Sequence, residues 1–237
     1  MTEDTPRTFK TRSQDVLRKL VPNFLRQERG IVIRLGPRAG RIYAGLRLLD
    51  VLGVRTANRR RGPLSARSFL FVCFGNIMRS ALAEFLMKQE LSEAGLAEQV
   101  RIMSAGLHAN AGREAHPWAQ EAAKNLGISL VEHHAKPLTR EMIEQADCVF
   151  AMDFQNKAEL LTLYPEAQAK ICMLSAYGEG SWQYREIPDP YLTDMENTQF
   201  CGRQLRTCIR NLIASMLLSS AIPRSNSSPA RDFPVQA

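Results

Sequence analysis

The sequence has no paired cysteines. Its five cysteines, Cys73, Cys148, Cys172, Cys201 and Cys208, are scattered through 237 residues without a CxxC spacing. An odd, unpaired set excludes a disulfide framework and the usual zinc modules, and suits a reducing compartment. Only four histidines are present, and the adjacent His133 and His134 cannot converge on one ion from a regular strand or helix. No metal and no other cofactor is expected. A run of about eighteen apolar residues is also missing, which excludes an ordinary spanning helix, and no apolar segment leads the chain. A cytoplasmic protein is expected, with peripheral contact with a membrane as the alternative.

What is present is an uneven charge. Hydrophobic residues make up 45% of the chain, as in a globular protein, and the net charge is +7. Residues 1–67 hold 16 Lys and Arg against 5 Asp and Glu, whereas the remainder holds 15 against 19. The basic charge therefore belongs to an N-terminal extension, and nucleic-acid binding is not expected of the rest. Within the extension, residues 1–12 read as loose. Leu17, Leu20, Val21, Phe24 and Leu25 form an apolar face at helical spacing, interrupted by Pro22 and closed by Gly30. Ile31 to Leu35 reads as a short extended piece punctuated by Gly36 and Pro37. A second helix with Ile42, Leu46 and Leu49 on one side runs toward Gly53, and Arg59 to Pro63 reads as a linker. Such basic helices dock on an acidic partner or an anionic membrane surface, or pack on the neighbouring domain. Packing is the favoured reading.

The informative stretch follows. Phe69 to Cys73 is an apolar run that reads as a buried strand, and Leu82, Phe85 and Leu86 recur at helical spacing behind it. Cys73 therefore lies where a strand becomes a helix. Gly75 and Asn76, which tolerate unusual backbone angles, let the intervening chain curl with its N–H groups inward. Inward amides and a helix N-terminus favour a phosphate or a thiolate at that point. Arg79 offers two parallel donors to phosphate oxygens, and the Ser80 hydroxyl is placed to donate to the sulfur. A lone cysteine after an apolar run is ordinarily core. Gly75, Asn76, Arg79 and Ser80 in register shift the balance to a nucleophile in an anion cradle formed by Phe74, Gly75, Asn76, Ile77, Met78 and Ser80.

This stretch resembles the active-site loop of the low-molecular-weight protein tyrosine phosphatases, Cys-x-Gly-Asn-x-Cys-Arg-Ser-Pro. Cys73, Gly75, Asn76, Arg79 and Ser80 match, as do Ala83 and Glu84 beyond it. Met78 stands in place of the second cysteine, to which the family assigns trapping of the oxidised nucleophile, and Ala81 in place of the proline. Further matches at Ser104-Ala105-Gly106, Ala151-Met152-Asp153 and Asp189-Pro190-Tyr191 extend the resemblance over about residues 68 to 220. It implies aryl phosphate substrates, chiefly phosphotyrosine in proteins. It also implies a supporting role for Ser104, close to the loop asparagine, and for His133, which steadies that asparagine by a hydrogen bond.

Downstream, strands are expected at Gln99–Ser104, Cys148–Met152 and Lys170–Leu174, with helices at Glu114–Leu126, Thr139–Ala146 and from Asp153, its N-cap, to Leu163. Ile128 to Val131 is too short to assign. The Gly- and aromatic-rich segment from Ser175 to Pro188 reads as a loop. It delivers Asp189 between Pro188 and Pro190, which hold it extended and outside any helix. A carboxylic acid there would protonate a departing phenolate and then serve as base toward water. Leu192 stands where the family often has a second Tyr, so Tyr191, Trp118 and Trp182 are the candidate ring partners for a substrate. A last helix from about Glu196 to Ser219 buries Leu205, Ile209, Leu212, Ile213 and Met216, and residues 222–237 read as a disordered tail.

Alternation of strand and helix points to an α/β fold, a three-layer α/β/α sandwich on a four-stranded parallel sheet, over residues 68–221. The expected activity is a phosphatase with Cys73, Arg79 and Asp189 as catalytic residues. The rivals are arsenate reduction on the same fold, which needs a cysteine where Asp153 stands, and a phosphotyrosine-binding module without turnover.

Overall fold

The computed structural model describes residues 23–54, 58, 61–63 and 65–221. The apolar face at Leu17 to Val21, the Pro22 interruption, the loose residues 1–12 and the tail from 222 lie outside them, as do the side chains of Phe24 and Leu25. Four strands, β1 (Ser68–Cys73), β2 (Arg101–Gly106), β3 (Cys148–Ala151) and β4 (Ile171–Met173), form one parallel sheet in the order β2-β1-β3-β4. β1 is buried on both faces, as a central parallel strand must be. Its alternation divides the core. Phe69 and Phe71 face one layer and stack on Phe150 at 6.0 and 5.5 Å, while Leu70 and Val72 face the other.

In order, the helices are α1 (Asn23–Val51), α2 (Arg79–Glu93), α3 (Pro117–Asn125), α4 (Arg140–Gln145), α5 (Phe154–Leu163) and α6 (Met195–Ala221). Leu82 and Leu86 of α2, Ala119 and Ala123 of α3, and Leu205 and Ile209 of α6 share the layer of Phe69. Ile143 of α4, Phe154 and Leu160 of α5 and Tyr43 of α1 share the layer of Leu70. The three-layer α/β/α architecture is thus as expected. So are the buried positions named for the last helix. The helix expected from Glu114 begins instead at Pro117, because His116 caps it through Nδ1 and proline suits its first position. Glu114 pairs with His134 in an isolated bridge.

The extension differs more from expectation. Gly30 does not stop the helix, and Ile31 to Leu35 is helical, not extended. The break comes at Gly36, whose φ of 76° lies in the left-handed region, and Pro37 then starts the second arm. Packing overrides local preference here, since Ile31, Val32 and Leu35 lie against the second core layer. The two arms fold back on one another. Glu28 accepts from Tyr43 Oη at 2.6 Å, and a Cβ on Gly40 would sit 2.6 Å from the Val32 carbonyl oxygen. Arg47 then ties the second arm to the domain, pairing with Glu186 at 2.7 Å and lying 5.1 Å from the centre of the Phe154 ring. Of the segment read as a linker, Arg61 to Pro63 are described, and there Gly62 N–H donates to Tyr177 Oη at 3.1 Å.

Candidate active site

Cys73 ends β1 and Arg79 begins α2, so the loop between them sits at the carboxyl edge of the sheet. α2 opens with no side-chain cap. Among the described residues the amides of Gly75, Ile77 and Met78 meet no acceptor, which leaves them for an anion. Asn76 makes the curl possible at φ 54° and is the hub that fixes it. Its amide donates to Cys73 Sγ at 3.3 Å, and its Nδ2 donates to Ser80 Oγ at 2.8 Å and Ser104 Oγ at 2.9 Å. Its Oδ1 accepts from the Lys136 amide at 2.8 Å. Ser104 in turn donates to Glu84 at 2.5 Å, and Ser80 Oγ lies 3.0 Å from Cys73 Sγ.

His133 Nε2 lies 2.7 Å from the Asn76 carbonyl oxygen. Burial lowers the pKa of this imidazole below its ordinary value, so the ring is neutral at neutral pH. Since a carbonyl only accepts, Nε2 carries the proton. Beneath the loop, Gly106 is required for close approach: a Cβ there would lie 2.8 Å from backbone atoms of Phe74, Gly75 and Asn76.

The Arg79 guanidinium is 1% exposed. Its Nη1 donates to Asp153 Oδ2 at 2.5 Å and to the Ile187 carbonyl at 3.0 Å, and its Nη2 donates to Asp189 Oδ2 at 2.6 Å. Burial works against the charge, but Asp153 and Asp189 outweigh it and hold the pKa above the usual arginine value. Asp153 caps α5, as expected, by accepting from Asn156 N at 2.7 Å through Oδ1. The sequence reading missed its second oxygen. A cap uses only one carboxylate oxygen, so the other was free to fix an arginine.

Cys73, Arg79 and Asp189 line one cavity of ≈190 Å³ with Phe74, Ile77 and Tyr191 on its walls. Tyr191 is therefore at the mouth. Trp118 and Trp182 are not among the cavity's lining residues. Trp118 is partly buried and stands against His116, which separates it from Tyr191, while Trp182 packs on Gly178 at the edge of the first core layer. The flanking rings are those of Phe74, half exposed, and His108, with centroids 4.6 Å apart. His108 and Arg113, which also line the cavity, carried no motif in the sequence.

A parallel α/β/α domain with an open loop between its first strand and the following helix defines an oxyanion site at the carboxyl edge of the sheet. The family model described as low molecular weight phosphotyrosine protein phosphatase matches residues 68–221, and the chain belongs to that family. It is 34% identical over 143 residues to a low molecular weight protein-tyrosine-phosphatase of Acinetobacter johnsonii, covering 60% of this chain and 93% of the relative. It is 37% identical over 143 residues to a protein-arginine-phosphatase of Bacillus subtilis, covering 60% and 92%. The solved structure of a protein tyrosine phosphatase from Entamoeba histolytica superposes with a TM-score of 0.59 at 29% identity, covering 65% of this chain and 98% of that one.

Proposed function

We propose that this phosphatase hydrolyses aryl phosphate monoesters, phosphotyrosine in proteins above all, through a phosphocysteine formed at Cys73. The observation that carries the reading is the convergence of Cys73 Sγ, the uncommitted loop amides, Arg79 and the Asp189 carboxyl on one small cavity. Cys73 Sγ, with the Ser80 hydroxyl and the Asn76 amide donating to it as a thiolate, attacks phosphorus. The bond from phosphorus to the phenolic oxygen breaks, and Asp189 gives its proton to that oxygen. Water then attacks the phosphocysteine, Asp189 takes a proton from it, and the S–P bond breaks to release inorganic phosphate. The loop amides and Arg79 hold the equatorial oxygens throughout, where charge gathers.

Asp189 occupies one arm of Arg79, so an incoming phosphate has to take that arm over. The exchange suits a carboxylate whose side chain is 42% exposed on a proline-flanked turn. Released from Arg79, the carboxylate takes up the proton that a phosphate monoanion carries in and turns to the leaving group, while Asp153 keeps Nη1 in place.

Phosphoarginine is the second reading, since a relative is named for it. The walls favour an aryl group. Phe74, Ile77 and Tyr191 present ring and aliphatic surface to the group that carries the phosphate. The test is kcat/KM on phosphotyrosine and phosphoarginine peptides of one sequence. A preference of at least about tenfold for phosphotyrosine is expected, and the reverse order would overturn the aryl assignment.

A further inference from the structure

A second cavity, of ≈500 Å³, opens beside the first and shares Phe74, His108, Asp189 and Tyr191 with it. Its far wall comes from α1, through Arg34 and Leu35. These residues lie outside the stretch that matches the family, which begins at residue 68. The break at Gly36 is what places them there, because it ends the first arm of α1 at Leu35 and turns the chain back. The extension therefore completes a groove that continues directly from the reacting centre.

The chemistry of the groove is specific. Leu35, Phe74, Tyr191 and Leu192 give it an apolar floor, and Leu192 is 89% exposed, a position that packing alone does not account for. Three of its charged or titratable groups are occupied: Glu159 holds His108 Nε2 at 2.6 Å, and Asp189 holds Arg79. Arg34 is exposed, and among the described residues it has no hydrogen-bond or ion-pair partner. An apolar channel leading from a phosphate site to a free guanidinium fits an extended peptide whose carboxylate side chain lies near the phosphorylated residue.

We propose that Arg34 and the groove beside the active site select protein substrates with acidic residues flanking the phosphorylated side chain. The inference rests on the phosphatase reading and assigns the extension a part in substrate choice. Arg34 is solvent-exposed, so its effect is modest and salt-dependent.

The test uses the full chain and its Arg34→Glu variant. The substrates are two phosphotyrosyl peptides that differ only in flanking Glu or Lys, with para-nitrophenyl phosphate as a substrate too small to reach the groove. Wild type is expected to favour the Glu peptide by about fivefold in kcat/KM, through KM, with the preference fading at high salt. Arg34→Glu is expected to abolish or reverse it and to leave para-nitrophenyl phosphate turnover unchanged, which also shows that the variant is folded. Equal rates on the two peptides, or a preference that survives Arg34→Glu, overturn the proposal while leaving the phosphatase reading intact. A preference seen only after removal of residues 1–22 overturns it as well, by making the chain's own leading segment the occupant. Failure of wild type on all three substrates removes the phosphatase reading itself.

Discussion

Replacing Asp153 separates two jobs held by one carboxylate. Asn keeps the oxygen that caps α5 but puts an amide where Oδ2 met the buried Arg79, whereas Ala removes both. Breaking a buried ion pair from one side costs about 3–5 kcal/mol. Here the Ile187 carbonyl and Asp189 still serve Arg79, so Asp153→Asn is expected to cost less than that, about 2–3 kcal/mol. Asp153→Ala adds the lost cap, about 1 kcal/mol more. Urea denaturation at neutral pH measures both, and thermal melting should show a drop of about 2–4 °C for each kcal/mol. Turnover of para-nitrophenyl phosphate should fall in both variants by about 10- to 100-fold, because a guanidinium displaced by an ångström no longer meets the transition state. An Asp153→Asn protein with wild-type stability and activity would refute the claim that this residue sets Arg79.

Two further outcomes follow from the supports of the loop. Gly106→Ala drives a methyl group into the backbone of residues 74–76, none of which can yield without moving the cradle. A loss of about 10²-fold in kcat/KM is expected with only about 1–3 kcal/mol of stability, and near-normal activity would contradict the packing. His133, with its pKa lowered by burial, binds a proton less readily folded than unfolded. Stability therefore falls as pH drops through the unfolded value of ~6.5 toward the folded one, and His133→Gln should flatten the urea midpoints between about pH 5 and 7. An unchanged slope would show that the ring does not carry this linkage.

The loop was legible because its local rules agree. A short apolar run, a glycine, a residue suited to positive φ, and a helix opening on Arg79 and Ser80 leave the backbone few alternatives. Asp189 was legible for a similar reason, being confined by two prolines. Asp153 was only half legible, since its cap is local and its grip on Arg79 spans 74 residues of sequence. Trp118 and Trp182 were named by residue type alone, and type does not say which ring reaches a cavity. Phe74 does reach it, because the curl of the loop turns it outward. In the extension, β-branched Ile31, Val32 and Ile33 suggested an extended piece, but burial of Ile31, Val32 and Leu35 against the domain kept them helical. The hinge was correctly marked at Gly36 and Pro37. That the folded arms would furnish a wall of the groove could not be read without the tertiary contacts.

The central claim is a covalent bond between phosphorus and Cys73 Sγ. Rapid acid quench of the enzyme during turnover of para-nitrophenyl phosphate, followed by mass spectrometry of its peptides, tests it directly. The account requires phosphate on the peptide carrying Cys73 and no turnover by Cys73→Ser. Steady turnover with Cys73 unmodified, or hydrolysis persisting in Cys73→Ser, would contradict it.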